Sequence, residues 1–352
     1  MFKNSVRVGM KEIYKNIMLK IIDSLNDFYW CLGRYLTTGL NLNQKFLEFT
    51  KKRSIFRKFS AILHAKLASP NKIVSIRMKG GLGNQLSQIA TTLAYGWRYS
   101  LTPQFKKISQ SPSRVKPRPV YWDTIFRKIP VIEFRPYNLV HYQEKDQNYH
   151  EIPNPNKIAN LNNCNGIILN GYFQSEKYFD EYKEKLLEIL YYIDPSENEY
   201  LKKKYPEIFD SDNMTISFHI RRDDNVSHKK KYSKPYLWDS DYYPKSLAYL
   251  IEKFGVENIK IVVISDDPDW SKKYFKKEFP ELNPIFPREK DYLELYLMSY
   301  CKHQIISNST FSWWAAYLNT NPAKIVIAPK NWSNPIIVKN WEWRYMDNWI
   351  KF

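Results

Sequence analysis

Two adjacent arginines, Arg221 and Arg222, follow the run Thr215-Ile216-Ser217-Phe218-His219-Ile220. Along an extended strand, side chains alternate between faces. Ile216, Phe218 and Ile220 then share one face, and His219 and Arg221 share the other at the strand's end, free to reach a ligand. A guanidinium presents a planar fork of donors that matches a phosphate or diphosphate. Arg222 points the other way and can pair locally with Asp224. The plainer alternative is that both arginines belong to structural ion pairs.

Three further stretches put polar or unhindered residues at the same kind of place, the end of an apolar run. Gly80-Gly81-Leu82-Gly83-Asn84-Gln85-Leu86 concentrates three of the chain's 10 glycines. Glycines let backbone approach a phosphate or sugar closely, and a helix start offers unpaired N–H groups. Leu86 stands where a dinucleotide fingerprint has its third glycine, and no Lys-Ser/Thr pair closes a Walker-type loop. A tight strand-to-helix turn explains the glycines equally well. In Ser307-Asn308-Ser309-Thr310-Phe311, the hydroxyls of Ser309 and Thr310 can cap the next helix or join its N-terminus in holding a phosphate. Ser265-Asp266-Asp267-Pro268 ends another apolar run. Asp267 suits capping of the helix that Pro268 opens, and Asp266 is the candidate acceptor for a guanine edge.

The elements that must position these residues are legible as alternation. Strands are expected at 73–78, 166–170, 215–220, 259–264, 304–306 and 324–328. Helices are expected at 84–97, 176–191, 241–254, 268–278, 291–301 and 310–318. Strand–helix alternation predicts an α/β fold with parallel sheets covered on both faces. The best single reading is two Rossmann-like halves facing a cleft, at 71–210 and 211–352. Residues 101–165, rich in Pro, Asn and aromatics, resist assignment.

Residues 1–70 read as a basic helical extension with apolar positions at Ile13, Ile17, Ile21 and Leu25. They hold 13 Lys/Arg against 4 Asp/Glu, half of the chain's net charge of +18. A basic amphipathic helix can lie on an anionic membrane surface or pack against the body or another subunit. The concentration of charge there, with no basic face of stacking aromatics elsewhere, weighs against a nucleic-acid-binding protein, the alternative that +18 raises. Three widely spaced cysteines give no disulfide or metal framework. No apolar stretch spans a bilayer and no signal peptide is visible, so a cytoplasmic location is expected, with peripheral contact on the inner membrane face.

In order along the chain, five stretches together resemble glycosyltransferase family 11, the α-1,2-fucosyltransferases. They are Gly80–Leu86, Gly171-Tyr172-Phe173-Gln174-Ser175-Glu176-Lys177-Tyr178-Phe179, His219–Asp224, Ser265–Asp267, and Leu297–Ser299 through Trp314. The resemblance covers about Lys72 to Lys330 and leaves residues 1–70 outside. It implies a GT-B-type fold, GDP-β-L-fucose as donor, a galactoside 2-hydroxyl as acceptor, inversion, and no metal or further cofactor. Carried over by position, Arg221 and His219 meet the pyrophosphate side of GDP, with Arg222 in the same set. Ser309, Thr310 and Phe311 help bind the phosphates, and Asp266 reads guanine. Gly81, Gly83, Asn84 and Gln85 line the cleft near the transferred sugar. Asp210-Ser211-Asp212, Asp239-Ser240-Asp241 and Asp267-Pro268-Asp269 match the loose Asp-X-Asp pattern of metal-dependent sugar transferases. Such triples arise easily here, and arginines with hydroxyls can neutralise a diphosphate, so no metal is expected. Another fucosyl linkage is the nearest alternative.

Overall fold

The structure, a computed structural model, describes residues 72–113, 116–133, 138–146, 148–222, 237–332 and 341–352. The basic N-terminal segment and Asp223-Asp224 lie outside the described residues. Two parallel sheets organise the chain. The first holds β1 (Ile73–Ile76), β2 (Thr102–Pro103), β3 (Leu139–Gln143) and β4 (Gly166–Asn170), in the order β2-β1-β4-β3. The second holds β5 (Met214–Ile220), β6 (Ile259–Ser265), β7 (His303–Ile305), β8 (Val326–Ala328) and β9 (Ile350–Lys351), in the order β6-β5-β7-β8-β9. The helices that bear on the site are α1 (Leu82–Arg98), α2 (Lys183–Leu190), α3 (Pro195–Lys204), α4 (Tyr242–Phe254), α5 (Pro268–Glu278), α6 (Asp291–Tyr300) and α7 (Thr310–Leu318).

Local chemistry sets several of these boundaries. Asp194 caps α3 and Asp267 caps α5, each with a proline at the first helical position, where the missing N–H costs nothing. Gly255, at φ +81°, closes α4 in the backbone region that a side chain disfavours. Strands β1 and β5 are buried on both faces, as expected of inner strands in a covered parallel sheet.

Two expectations change. A single helix over 176–191 is replaced by two 3-10 turns, Glu176–Tyr178 and Asp180–Tyr182, and then α2. Between the turns, Phe179 is fully buried and stacked on Trp314 at 5.3 Å. Its φ of −148° is not helical, so anchoring this ring breaks the helix. Strand β3 lies in the unassigned stretch because it is an edge strand without an apolar run. The two halves also touch: α1 and α7 pack together, and Trp314 Nε1 donates to Ser87 Oγ at 2.8 Å. One buried cluster includes Val74 and Leu86 from the first half and Val262, Leu297 and Trp314 from the second. Helix α1 is therefore buried nearly all round, as a helix clasped between two bodies must be.

Candidate functional site

Register brings the second sheet's loops together. Ser265 of β6 stands beside Ile220 of β5, and Ile305 of β7 beside Phe218. The segments that leave these strands, Arg221-Arg222, Asp266-Asp267 and Ile306 to Ser309, therefore emerge side by side. They form the carboxyl edge of a parallel sheet, where open α/β sheets bind ligands.

The arginines at this edge are held by the neighbouring strand's aspartates. Arg221 Nε lies 3.1 Å from Asp266 Oδ2, and Arg222 N donates to Asp266 Oδ1 at 2.7 Å. Arg222 Nη1 pairs with Asp267 Oδ2, and its guanidinium sits 4.6 Å over the Trp270 ring. Asp267 also accepts from Trp270 N at 3.2 Å, the expected cap. Arg222 thus finds its partner one strand away; the expected one, Asp224, is outside the described residues. Both oxygens of Asp266, expected to face a guanine edge, are engaged by the arginine segment, so here Asp266 anchors the two arginines.

His219 does not reach outward with Arg221. Strand β5 is central and covered on both faces, so alternation leaves His219 buried at 3% exposure while the Arg221 side chain is 24% exposed. His219 Nδ1 is 2.8 Å from Ser307 Oγ, and its ring lies 5.5 Å from Phe311. Its carbonyl accepts from Tyr243 Oη at 2.8 Å. Burial, with Arg221 nearby, pushes its pKa down to about 3. The ring is neutral at pH 7 and supplies no charge to an anion.

Ser309 caps α7 through its side chain, which accepts from Phe311 N at 3.3 Å. Thr310 Oγ1 donates to Asn84 Oδ1 at 3.1 Å, so the start of α7 meets the start of α1. Gly83 makes this possible. A Cβ there would lie 2.4 Å from the Thr310 carbonyl carbon and 2.6 Å from Phe311 N. At Gly81 the corresponding direction is open for 4 Å. Gly81 is also the N-cap of α1 and supplies no capping side chain, which leaves N–H groups of the first turn without a side-chain acceptor.

Gln85 departs from its expected role. It is fully buried, and its Nε2 donates to Gly80 O at 3.0 Å and to Pro119 O at 2.9 Å. Lying one turn into α1, it braces the glycine loop from behind rather than lining open space.

The sequence reading missed two contributors. Glu144, just past β3, accepts from Tyr172 N at 2.6 Å and Phe173 N at 2.9 Å. Burial raises its pKa above the usual carboxylate value against those hydrogen bonds. It holds the loop after β4 around Phe173, a non-glycine residue at φ +49°, a conformation that survives only when its surroundings impose it. The other is Arg344, which donates to Gln174 Oε1 at 2.6 Å. Only its setting among Trp341, Trp343 and Trp349 could have marked it in the sequence. Among the described residues, no group of three or more His, Cys, Asp or Glu side chains could hold a metal ion. No described helix is long and apolar enough to cross a membrane.

Comparison with known proteins follows the same lines. The family described as Glycosyl transferase family 11 matches residues 36–352. The match begins well before Lys72 and runs to the end of the sequence, so residues 36–71 belong to it, contrary to the boundary expected from the motifs. An Escherichia coli O-antigen biosynthesis glycosyltransferase, WbnK, is 34% identical over 203 residues, 54% of this chain and 64% of that protein. An Escherichia coli alpha-1,2-colitosyltransferase is 32% identical over 288 residues, 74% of this chain and 92% of that protein. The mouse galactoside 2-alpha-L-fucosyltransferase Sec1 is 24% identical over 259 residues, 69% of this chain and 64% of that protein. Among solved structures, POFUT1 in complex with GDP matches with a TM-score of 0.47 at 14% identity, covering 74% of this chain and 99% of that one.

Proposed function

The chain belongs to glycosyltransferase family 11, and on that premise we propose that it transfers L-fucose from GDP-β-L-fucose to the 2-hydroxyl of a terminal galactoside. The observation that carries the reading is the solvent-reaching Arg221, fixed by Asp266 at the carboxyl edge of the second sheet beside the loop that leads into α7. As the glycosidic bond breaks, negative charge builds on the departing diphosphate. A preorganised cation stabilises that charge without reorganising, and the helix start adds N–H donors. The anomeric carbon takes on oxocarbenium character, and the acceptor hydroxyl attacks the face opposite the diphosphate, giving inversion. The role of His219 is to hold the Ser307 turn, since its ring is neutral and enclosed.

On this reading the two sheets are the halves of a GT-B arrangement. The nucleotide lies along the Arg221–Ser309 edge, and the sugar faces the open side of Gly81. Arg221 and the start of α7 do the work of a cation, so no metal is needed. The α-1,2 linkage follows the names of the two relatives that specify one, and a surface glycan as acceptor follows the O-antigen relative. Residues 1–70 would touch the inner leaflet. A second donor, nucleotide-linked colitose, is favoured by the relative that the match covers to 92%.

Full-length protein should release GDP from GDP-fucose when given a terminal β-galactoside in the presence of EDTA, and linkage analysis should find the fucose on the 2-hydroxyl. Turnover of nucleotide-linked colitose alone would move the donor assignment. Loss of turnover in EDTA would refute the metal-free step. Removing residues 1–35, which precede the family match, should weaken vesicle binding and spare transfer to a water-soluble acceptor. Undiminished binding to anionic vesicles would count against the membrane role.

A further inference from the structure

The C-terminal stretch returns to the junction of the two sheets through Arg344. Its residue is 5% exposed, and its guanidinium lies 4.7 Å over the Trp343 ring and 4.8 Å over the Trp332 ring. Nη1 donates to Gln174 Oε1 at 2.6 Å. Gln174 Nε2 in turn donates to Asn84 Oδ1 at 2.5 Å, and Thr310 Oγ1 donates to the same oxygen at 3.1 Å. A guanidinium has five N–H donors and no acceptor. The sense of the chain is therefore fixed from its buried end. Gln174 must turn its carbonyl to Arg344 and its NH2 to Asn84, and Asn84 must receive with its oxygen. Two donors fill that oxygen, so the Asn84 amide can offer only N–H groups elsewhere. Asn84 is half-buried beside Gly81, whose outward side is open.

We propose that Arg344 and Gln174 are positioning residues that set the polarity of the Asn84 amide, so that Asn84 donates a hydrogen bond to an oxygen of the bound substrates. That oxygen is a hydroxyl or phosphate oxygen of the nucleotide sugar, or a hydroxyl of the acceptor. The inference rests on the transferase reading above and adds to it a device for orienting substrate. No proton is transferred through the relay.

Gln174→Glu is the decisive variant. Glutamate is close in shape and still accepts from Arg344, now as an ion pair, but it cannot donate to Asn84. The Asn84 amide must then turn over and present its oxygen to the substrate. Expected results are unfolding at or above the wild-type temperature, together with a loss of kcat/KM of roughly 10- to 100-fold, the cost of an unmatched buried polar contact. A rise in KM confined to the nucleotide sugar would assign the contact to the donor; one confined to the galactoside would assign it to the acceptor. Arg344→Lys, which can only donate, should retain more activity than Arg344→Gln, which can also accept. Wild-type kcat/KM for both substrates in Gln174→Glu would overturn the proposal even if the Arg344 variants fail to fold. A wild-type enzyme that transfers no sugar would overturn the functional reading, and the substrate role of Asn84 with it.

Discussion

The loop after β1 meets the start of α7, and the carboxyl edges of the two sheets are built from different materials. The second sheet's edge is ionic: Arg221 and Arg222 are braced by Asp266 and Asp267. At the first sheet's edge, the part that meets α7 consists of glycine and amide, in Gly81, Gly83 and Asn84, with the Thr310 hydroxyl of α7 bonded to Asn84. Charges need counter-charges to stay put, whereas close backbone approach needs the absence of side chains. The contrast suits a reaction in which one product is a diphosphate and the other partners are neutral sugars. On the proposed reading, the ionic edge would meet the charge as it develops, and the open, N–H-bearing edge would meet the sugar hydroxyls.

Substitutions can break this contrast from either side. The largest effect is expected at the ionic edge. Arg221→Ala should lower kcat by roughly a hundred- to a thousand-fold, about 2.7–4 kcal/mol of transition-state stabilisation, with little change in thermal midpoint. A near-normal rate in steady-state assays would remove Arg221 from the mechanism. Next comes Gly83→Ala on the neutral edge. Its Cβ would meet the α7 backbone, which is not free to rotate away, so about 1–3 kcal/mol of stability should be lost. Activity should fall with it as the two edges separate; an unshifted denaturant midpoint would show the junction to be looser than its geometry.

Asp266→Asn sharpens the comparison further. It keeps an oxygen for Arg222 N but removes the charge facing Arg221. A rate loss of about ten-fold, or 1.4 kcal/mol, is expected, with the preference for GDP over ADP in competition binding unchanged. Loss of that preference would return Asp266 to the guanine-reading role.

An effect of similar size, on stability rather than rate, is expected from pH. His219 is held near 3 against an ordinary 6.5, so unfolding takes up a proton at mildly acidic pH. Its contribution to stability is complete above 6.5 and is lost as pH falls toward about 3. By pH 5.5 wild type should have lost about 1.4 kcal/mol through this group relative to its value well above 6.5. Glu176, raised to about 7 by burial, acts in the opposite sense between 4.5 and 7. The His219 contribution is therefore read as the difference between wild type and His219→Asn, in chemical unfolding at pH 5.5 and 7.5. Equal pH dependence in the two proteins would mean that His219 titrates normally.

Much of the second half was legible because its elements are long, strongly patterned and locally punctuated. The span of α5 from Pro268 and that of α7 from Thr310 both follow from a cap and, for α5, a proline. The stretch 101–165 was not legible. Its strands are two to five residues long and partly exposed, so no run of apolar residues announces them. At the site, alternation correctly set Ile216, Phe218 and Ile220 apart from His219 and Arg221 but not how deep each side lies. Depth depends on the helices that cover both faces of β5, and none of them is encoded in the strand.

The sequence by itself determined the types of group available: a pair of cations after an apolar strand, a hydroxyl-bearing helix start, and a cluster of glycines. It did so because caps, turns and alternation act over a few residues. Only the tertiary structure decided which of those groups face outward and which are consumed in holding the others. His219, Gln85 and Asp266 find their partners 88, 34 and 44 residues away. A hydrogen bond formed across such a distance depends on which strands lie side by side and how helices and loops pack on them, which no local pattern specifies.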